Sequence, residues 1–136
     1  MAQPRVDSSR FPLVIFEYMT AMTVPEVDLF FVELEGLYKR GKLAAVGLAD
    51  NLTGTEARAR AHFTQKMDAL TMKYPRRVVC EAVVVSHFFP RGMVTTYLWM
   101  KRDKSYPTKV FATLPEAIAW AEKTLHDAGV AVPPLV

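Results

Sequence analysis

Short apolar runs alternate along this chain with longer segments in which apolar residues repeat at helical spacing. Four runs predict strands, at residues 11–19, 43–49, 77–86 and 108–112. The run at 43–49, LAAVGLA, has no alternation of polar and apolar positions, which is typical of a strand buried on both faces. The helical spacing between and after these runs predicts four helices, at residues 23–41, 55–74, 88–106 and 113–129.

Three of the predicted helices begin with the same four-residue pattern, Thr-x-x-Glu. The pattern occurs as TVPE at Thr23, TGTE at Thr53 and TLPE at Thr113. It is the capping box, in which the threonine side chain and the glutamate side chain each accept a bond from the other residue's backbone N–H. The order βαβαβαβα therefore predicts the α/β class, with a single, mostly parallel sheet of about four strands and helices outside it.

The length of 136 residues suits one domain with a substantial core. Residues 1–10 are polar and predict a flexible N-terminal arm. Residues 11–129 contain all the predicted elements, and residues 130–136 form a C-terminal tail whose prolines cannot extend the last helix.

The first predicted helix has a second apolar stripe in addition to the one that would face the core. Leu29, Val32 and Gly36 lie opposite the core-facing positions, where a surface helix is usually polar. This pattern indicates that another element or another chain covers that side. Leu29 and Val32 are therefore the candidate partner interface.

Composition narrows the classes of function. Apolar residues make up 51% of the chain, and the net charge of +3 is too small to indicate nucleic-acid binding. No apolar stretch reaches the roughly 18 residues of a transmembrane helix, and the N-terminus lacks the apolar core of a signal peptide. The single cysteine, Cys80, allows no disulfide framework and no thiolate metal site. We expect a cytoplasmic protein without a metal or cofactor.

Several segments together resemble the STAS-like domains of the SpoIIAA-like subgroup, the bacterial set often called STAS/SEC14. The segments are FPLVIFEYMTAMTVPEVDLFFVELEGLY, AVGLAD, VVVSHFFPRGMVTTYLWM and KVFATLPEAIAWAEKTL. The resemblance covers about residues 10 to 126 and includes no catalytic motif. It implies a SpoIIAA-like fold and a role as a binding module in regulatory complexes.

The resemblance also points to one corner of the chain. Anti-sigma-factor antagonists of this type carry an Asp-Ser-Ser-Gly corner whose second serine is phosphorylated. Here the corner reads Asp50-Asn51-Leu52-Thr53-Gly54, with one residue inserted and threonine as the hydroxyl residue. Thr53 is thus the candidate phosphorylation residue, and a phosphate there would lie at a helix N-terminus. Thr53 also has a sufficient role as a helix cap.

A second group of polar residues follows the third predicted strand. Ser86, His87 and Arg91 would share with Asp50 and Thr53 the rim at the carboxyl ends of neighbouring parallel strands. This rim could bind a small anion through Arg91 and helix N–H groups. It could also be interpreted as a nucleophile, a base and an acid. We expect no catalysis, because Ser86 and His87 are sequence neighbours at a strand end and their side chains should diverge.

These observations predict a non-catalytic regulatory module that self-associates or docks a protein partner through a helix face. The alternative is a carrier of a small molecule or lipid, as the SEC14 label suggests. Helices rich in methionine and phenylalanine could line the binding pocket of such a carrier. A carrier requires an internal cavity. We expect no nucleic-acid partner, because the aromatics around Tyr97 and Trp99 repeat as core residues do.

Overall fold

Residues 5–17, 22–49, 57–85 and 106–133 are described by the computed structural model, and within them five strands form one sheet with three helices packed on it. In chain order the elements are β1 Arg5–Arg10, β2 Leu13–Glu17, α1 Val24–Arg40, β3 Leu43–Leu48, α2 Ala57–Lys73, β4 Val78–Val84, β5 Thr108–Phe111 and α3 Leu114–Asp127.

The strands lie in the sheet in chain order, β1-β2-β3-β4-β5. Strands β2 to β5 are parallel, and β1 is antiparallel to β2. The last residues of the four parallel strands are in register, since Glu17 pairs with Leu48, Leu48 with Val84, and Val84 with Phe111. The predicted α/β class and mostly parallel sheet are confirmed, with five strands where about four were expected.

The extra strand is β1, which occupies residues predicted as a flexible arm. Its sequence RVDSSR alternates exposed and half-buried residues, a pattern compatible with an edge strand that needs apolar contacts on one face only. Val6 packs against the core on that face. Arg10 pairs with Glu122 of α3 at 3.1 Å and donates to the carbonyl oxygen of Pro133. The arm prediction was wrong over residues 5–10 because one apolar residue gives too little periodicity to indicate a strand.

Helix α1 begins as its sequence predicts. The Thr23 hydroxyl accepts from the Glu26 backbone N–H at 3.4 Å, and the Glu26 carboxylate accepts from the Thr23 N–H at 3.2 Å. Gly41 ends the helix at φ 139°, a backbone conformation that residues with a Cβ rarely adopt. Thr113 likewise caps α3 by accepting from the Glu116 N–H. The capping box at Thr53 and the helix expected at 88–106 lie outside the described residues.

Alternate residues of the strands supply two cores, one on each face of the sheet. On one face Val14, Phe16 and Leu43 pack under α1 and α2. On the other face Leu13 and Val46 pack under α3, together with Val130 and Val132 of the C-terminal segment. Helices α1 and α2 therefore lie side by side on one face, and this arrangement creates the surface considered next. None of the three helices is long and apolar enough to cross a membrane.

Candidate functional site

The described residues reach the edge of the sheet at which the rim is predicted, but they do not include the rim. Ala49 donates its N–H to the Val84 carbonyl at 3.0 Å, so β3 and β4 end at the same edge of the sheet, as the rim prediction requires. The rim residues themselves and the candidate phosphorylation residue are outside the described ranges: Asp50, Thr53, Ser86, His87 and Arg91. The rim stays a prediction.

The candidate partner interface is exposed. We call the outer face of α1 the surface formed by Leu29, Val32, Glu33 and Gly36, all of which are exposed. Leu29 is 52% exposed and Val32 is 73% exposed, whereas the core-facing side of the helix is buried. At about 100° per residue, the four outer residues span an arc of about 100°. Two large aliphatic side chains thus stand together in solvent, on the side of α1 opposite its core-facing positions.

Gly36 adds a feature that the described part of the chain does not explain. It lies inside α1, where glycine costs about 0.5–1 kcal/mol relative to alanine. Apart from the backbone of α1 itself, a Cβ atom at this position would meet no atom of the described residues within 4 Å. No turn and no close neighbour in the described chain requires a glycine here, so the outer face has a notch beside Leu29 and Val32.

A groove runs beside this face, between α1 and α2. We call it the α1–α2 groove; it encloses about 200 Å³ and is open to solvent. It is lined by Asp28, Phe31, Val32 and Glu35 from α1 and by Lys66, Ala69, Leu70 and Lys73 from α2. Sites for small organic ligands usually enclose about 300–1,000 Å³, so this groove is small for such a ligand.

At the end of the groove nearer the N-terminus of α1, the carboxylate of Asp28 is paired with two side chains of α2. His62 contacts the Asp28 carboxylate through Nε2 at 2.6 Å, and Lys66 Nζ lies 3.6 Å from the same oxygen. Because carboxylates only accept hydrogen bonds, the imidazole N–H donates in this pair. The hydrogen bond from His62, with the charge of Lys66, lowers the pKa of Asp28 below its ordinary value.

The second half of the groove repeats this arrangement one heptad later. Lys73 lies 2.8 Å from the Glu35 carboxylate, and the Tyr74 hydroxyl donates to it at 3.1 Å. The hydrogen bonds from Lys73 and Tyr74 lower the pKa of Glu35, and the same pairing raises the pKa of Lys73. These acids therefore already have cationic partners within the protein, and they serve to hold α1 against α2.

Sequence reasoning missed these two clusters, although a signal existed. Asp28 and Glu35 are seven residues apart, and so are Lys66 and Lys73. Acidic residues seven apart on one helix and lysines seven apart on another predict ion pairs between the helices only when the helices are known to be parallel neighbours. That knowledge comes from the order of the strands in the sheet.

The single cysteine is a core residue. Cys80 has no exposed surface, and burial raises the pKa of its thiol to about 11. A thiol that stays protonated is a poor nucleophile and a poor metal ligand. Over the described ranges, no group of three His, Cys, Asp or Glu residues is placed to hold a metal ion.

Comparison with known proteins supports the fold. No protein-family model matches the sequence, and no curated protein matches it. One similar solved structure is that of an uncharacterized protein of the DUF3478 family with a SpoIIAA-like fold, from Shewanella loihica PV-4. The similarity covers 87% of this chain and 91% of that one, with a TM-score of 0.64 and 14% sequence identity. The chain accordingly has a SpoIIAA-like α/β fold, as its resemblance to STAS-like domains implied.

Proposed function

We propose that this domain is a non-catalytic binding module that contacts a protein through the outer face of α1. The observation that carries the proposal is the exposure of Leu29 and Val32 on a helix whose other side is fully used by the core. Solvent-exposed aliphatic residues clustered on one helix face are a common feature of surfaces that another protein covers.

The neighbouring charges favour a protein over a small charged ligand. Asp28 and Glu35 already have cationic partners within the groove, so they offer little net charge for an ion or a charged metabolite. The exposed aliphatic residues lie beside them, with Leu29 outside the groove and Val32 at its edge. An exposed apolar helix face of this kind can pack into a complementary groove of another protein.

The carrier alternative needs an enclosed cavity. The α1–α2 groove, at about 200 Å³ and open to solvent, does not favour it. The predicted rim with Asp50 and Arg91 would be a separate site that binds a small anion. Any part that the rim has in binding a protein partner is an expectation from the sequence.

Paired substitutions with a matched control test the proposal. Leu29→Glu combined with Val32→Glu places charges on the outer face of α1 without entering the core. Met72→Glu is the control, because Met72 is 83% exposed on α2 and is not part of the outer face of α1. Both variants should melt within a few degrees of the wild type, since exposed substitutions usually change stability by less than about 0.5 kcal/mol.

The readout is the protein that a tagged copy retains from cells that also express the untagged chain. The wild type and Met72→Glu should retain the same protein, and the double variant should lose at least about nine-tenths of it. Equal retention by all three would discard this surface. A small molecule released from the wild type and seen by mass spectrometry would favour the carrier.

A further inference from the structure

The charge distribution along α1 points to an occupant of its outer face. The acidic residues Glu26 and Glu33 lie before residue 36, and the basic residues Lys39 and Arg40 occupy the last turn, whereas Asp28 and Glu35 are already paired with lysines of α2. The Arg40 guanidinium also packs over the Phe11 ring, 4.1 Å from its centroid. The part of α1 that is not paired with α2 is therefore acidic before residue 36 and basic at its C-terminal end. A second copy of α1 running in the opposite direction would bring opposite charges together at both ends.

We propose that the partner is a second copy of this chain, related by a two-fold axis and packed α1 against α1 in antiparallel orientation. This inference rests on the function proposed above and names its partner. A two-fold interface uses the same patch on both copies, so every contact occurs twice. A parallel arrangement would instead set acidic residues against acidic residues, which is unfavourable.

The apolar residues fit the same arrangement. Residue 32 is the midpoint of α1, which spans Val24–Arg40. If the axis passes between residues 32 and 33, position i faces position 65 − i of the partner, so Leu29 faces Gly36 of the second copy. The missing side chain at Gly36 then receives a leucine, and Val32 of each copy lies near the axis. This pairing gives Gly36 a role that the described residues of a single copy do not.

The arrangement has one unfavourable contact, and it helps the test. Glu33 lies next to Val32, so the two copies of Glu33 come close to each other near the axis. The dimer should be weak, because stable interfaces bury about 1,200–2,000 Å² and a single pair of helices buries less. Lys39→Glu should weaken association about fivefold by removing attraction at both ends, and Glu33→Gln should strengthen it about twofold.

Cysteine cross-linking tests the register directly. Val32→Cys should form a disulfide-linked dimer under mild oxidation, because the two thiols would lie near the axis. Met72→Cys controls for random collision, since residue 72 is at least as exposed and lies away from the axis. Native Cys80 is buried and should not contribute. We expect Val32→Cys to cross-link at least about tenfold faster than Met72→Cys.

The outcomes separate this inference from the function on which it rests. Equal cross-linking rates for the two cysteine variants, or a change of the wrong sign for Lys39→Glu or Glu33→Gln, would overturn the antiparallel dimer. Retention of a different protein, lost in the Leu29→Glu/Val32→Glu variant, would in that case still support the proposed function. If the cysteine variants cross-link at equal rates and the Leu29→Glu/Val32→Glu variant retains as much protein as the wild type, both the antiparallel dimer and the proposed function are overturned.

Discussion

Replacing Gly36 with alanine should change the stability of the fold and the association of the domain in opposite directions. Apart from the backbone of α1 itself, the new methyl group meets no atom of the described residues within 4 Å, so it causes no clash with them. Alanine is also the better helix former, because glycine loses more backbone freedom on folding. In the antiparallel dimer, by contrast, the methyl group would occupy the notch that receives Leu29 of the second copy.

Both effects have magnitudes that can be worked out in advance. Removing a glycine from an exposed helix interior stabilises the fold by about 0.5–1 kcal/mol. For a domain of this size that corresponds to a rise in Tm of roughly 2–5 °C. Overfilling a packed contact typically costs about 1–3 kcal/mol, so association of Gly36→Ala should weaken by about fivefold or more.

Two assays on the same samples measure these effects. Thermal unfolding at low protein concentration, where the chain is monomeric, gives the change in Tm. Sedimentation equilibrium at higher concentration gives the dissociation constant. Met72→Ala serves as the control, since it changes an exposed helix residue outside the outer face of α1. A Gly36→Ala variant that associates as tightly as the wild type would refute a close approach at this position.

Two further predictions concern the fold. Folding lowers the pKa of Asp28 from its ordinary value of 3.8 and the pKa of Glu35 from 4.5. Each acid therefore stabilises the fold when the pH is above its ordinary pKa. This stabilisation is lost as the pH falls through the lowered pKa of the folded state. Urea midpoints should therefore fall between about pH 5 and pH 2, and less steeply in Asp28→Asn; an equally steep fall would contradict the pairing with His62. Phe30 is 1% exposed and packs against Phe16 at 5.7 Å between ring centroids, so Phe30→Ala should lower the free energy of unfolding by about 3–5 kcal/mol, whereas Val32→Ala should change it by less than about 0.5.

The sequence was most informative where local and long-range signals agree. The start of α1 at Thr23 follows from the capping box and the apolar spacing together, and both are present in the structure. The strand at Leu43–Leu48 follows from an apolar run without alternation, and it lies in the middle of the sheet. The exposure of Leu29 and Val32 follows from the geometry of the helix alone.

The sequence was least informative where the structure depends on contacts distant in the chain. Strand β1 exists because Arg5–Arg10 pair with β2 and contact the last described residues, and the local pattern RVDSSR contains none of that information. The ladder of Asp28 with His62 and Glu35 with Lys73 likewise requires that α1 and α2 be neighbours. Such pairings become visible only when the sheet topology is known.

Native mass spectrometry of the purified wild type at increasing concentrations tests self-association through the outer face of α1 most directly. The expected result is a dimer without bound ligand whose fraction rises with concentration, and a Leu29→Glu/Val32→Glu variant that stays monomeric over the same range. A wild type that remains a monomer at every concentration, or a dimer that the two substitutions leave unchanged, would contradict self-association through this face.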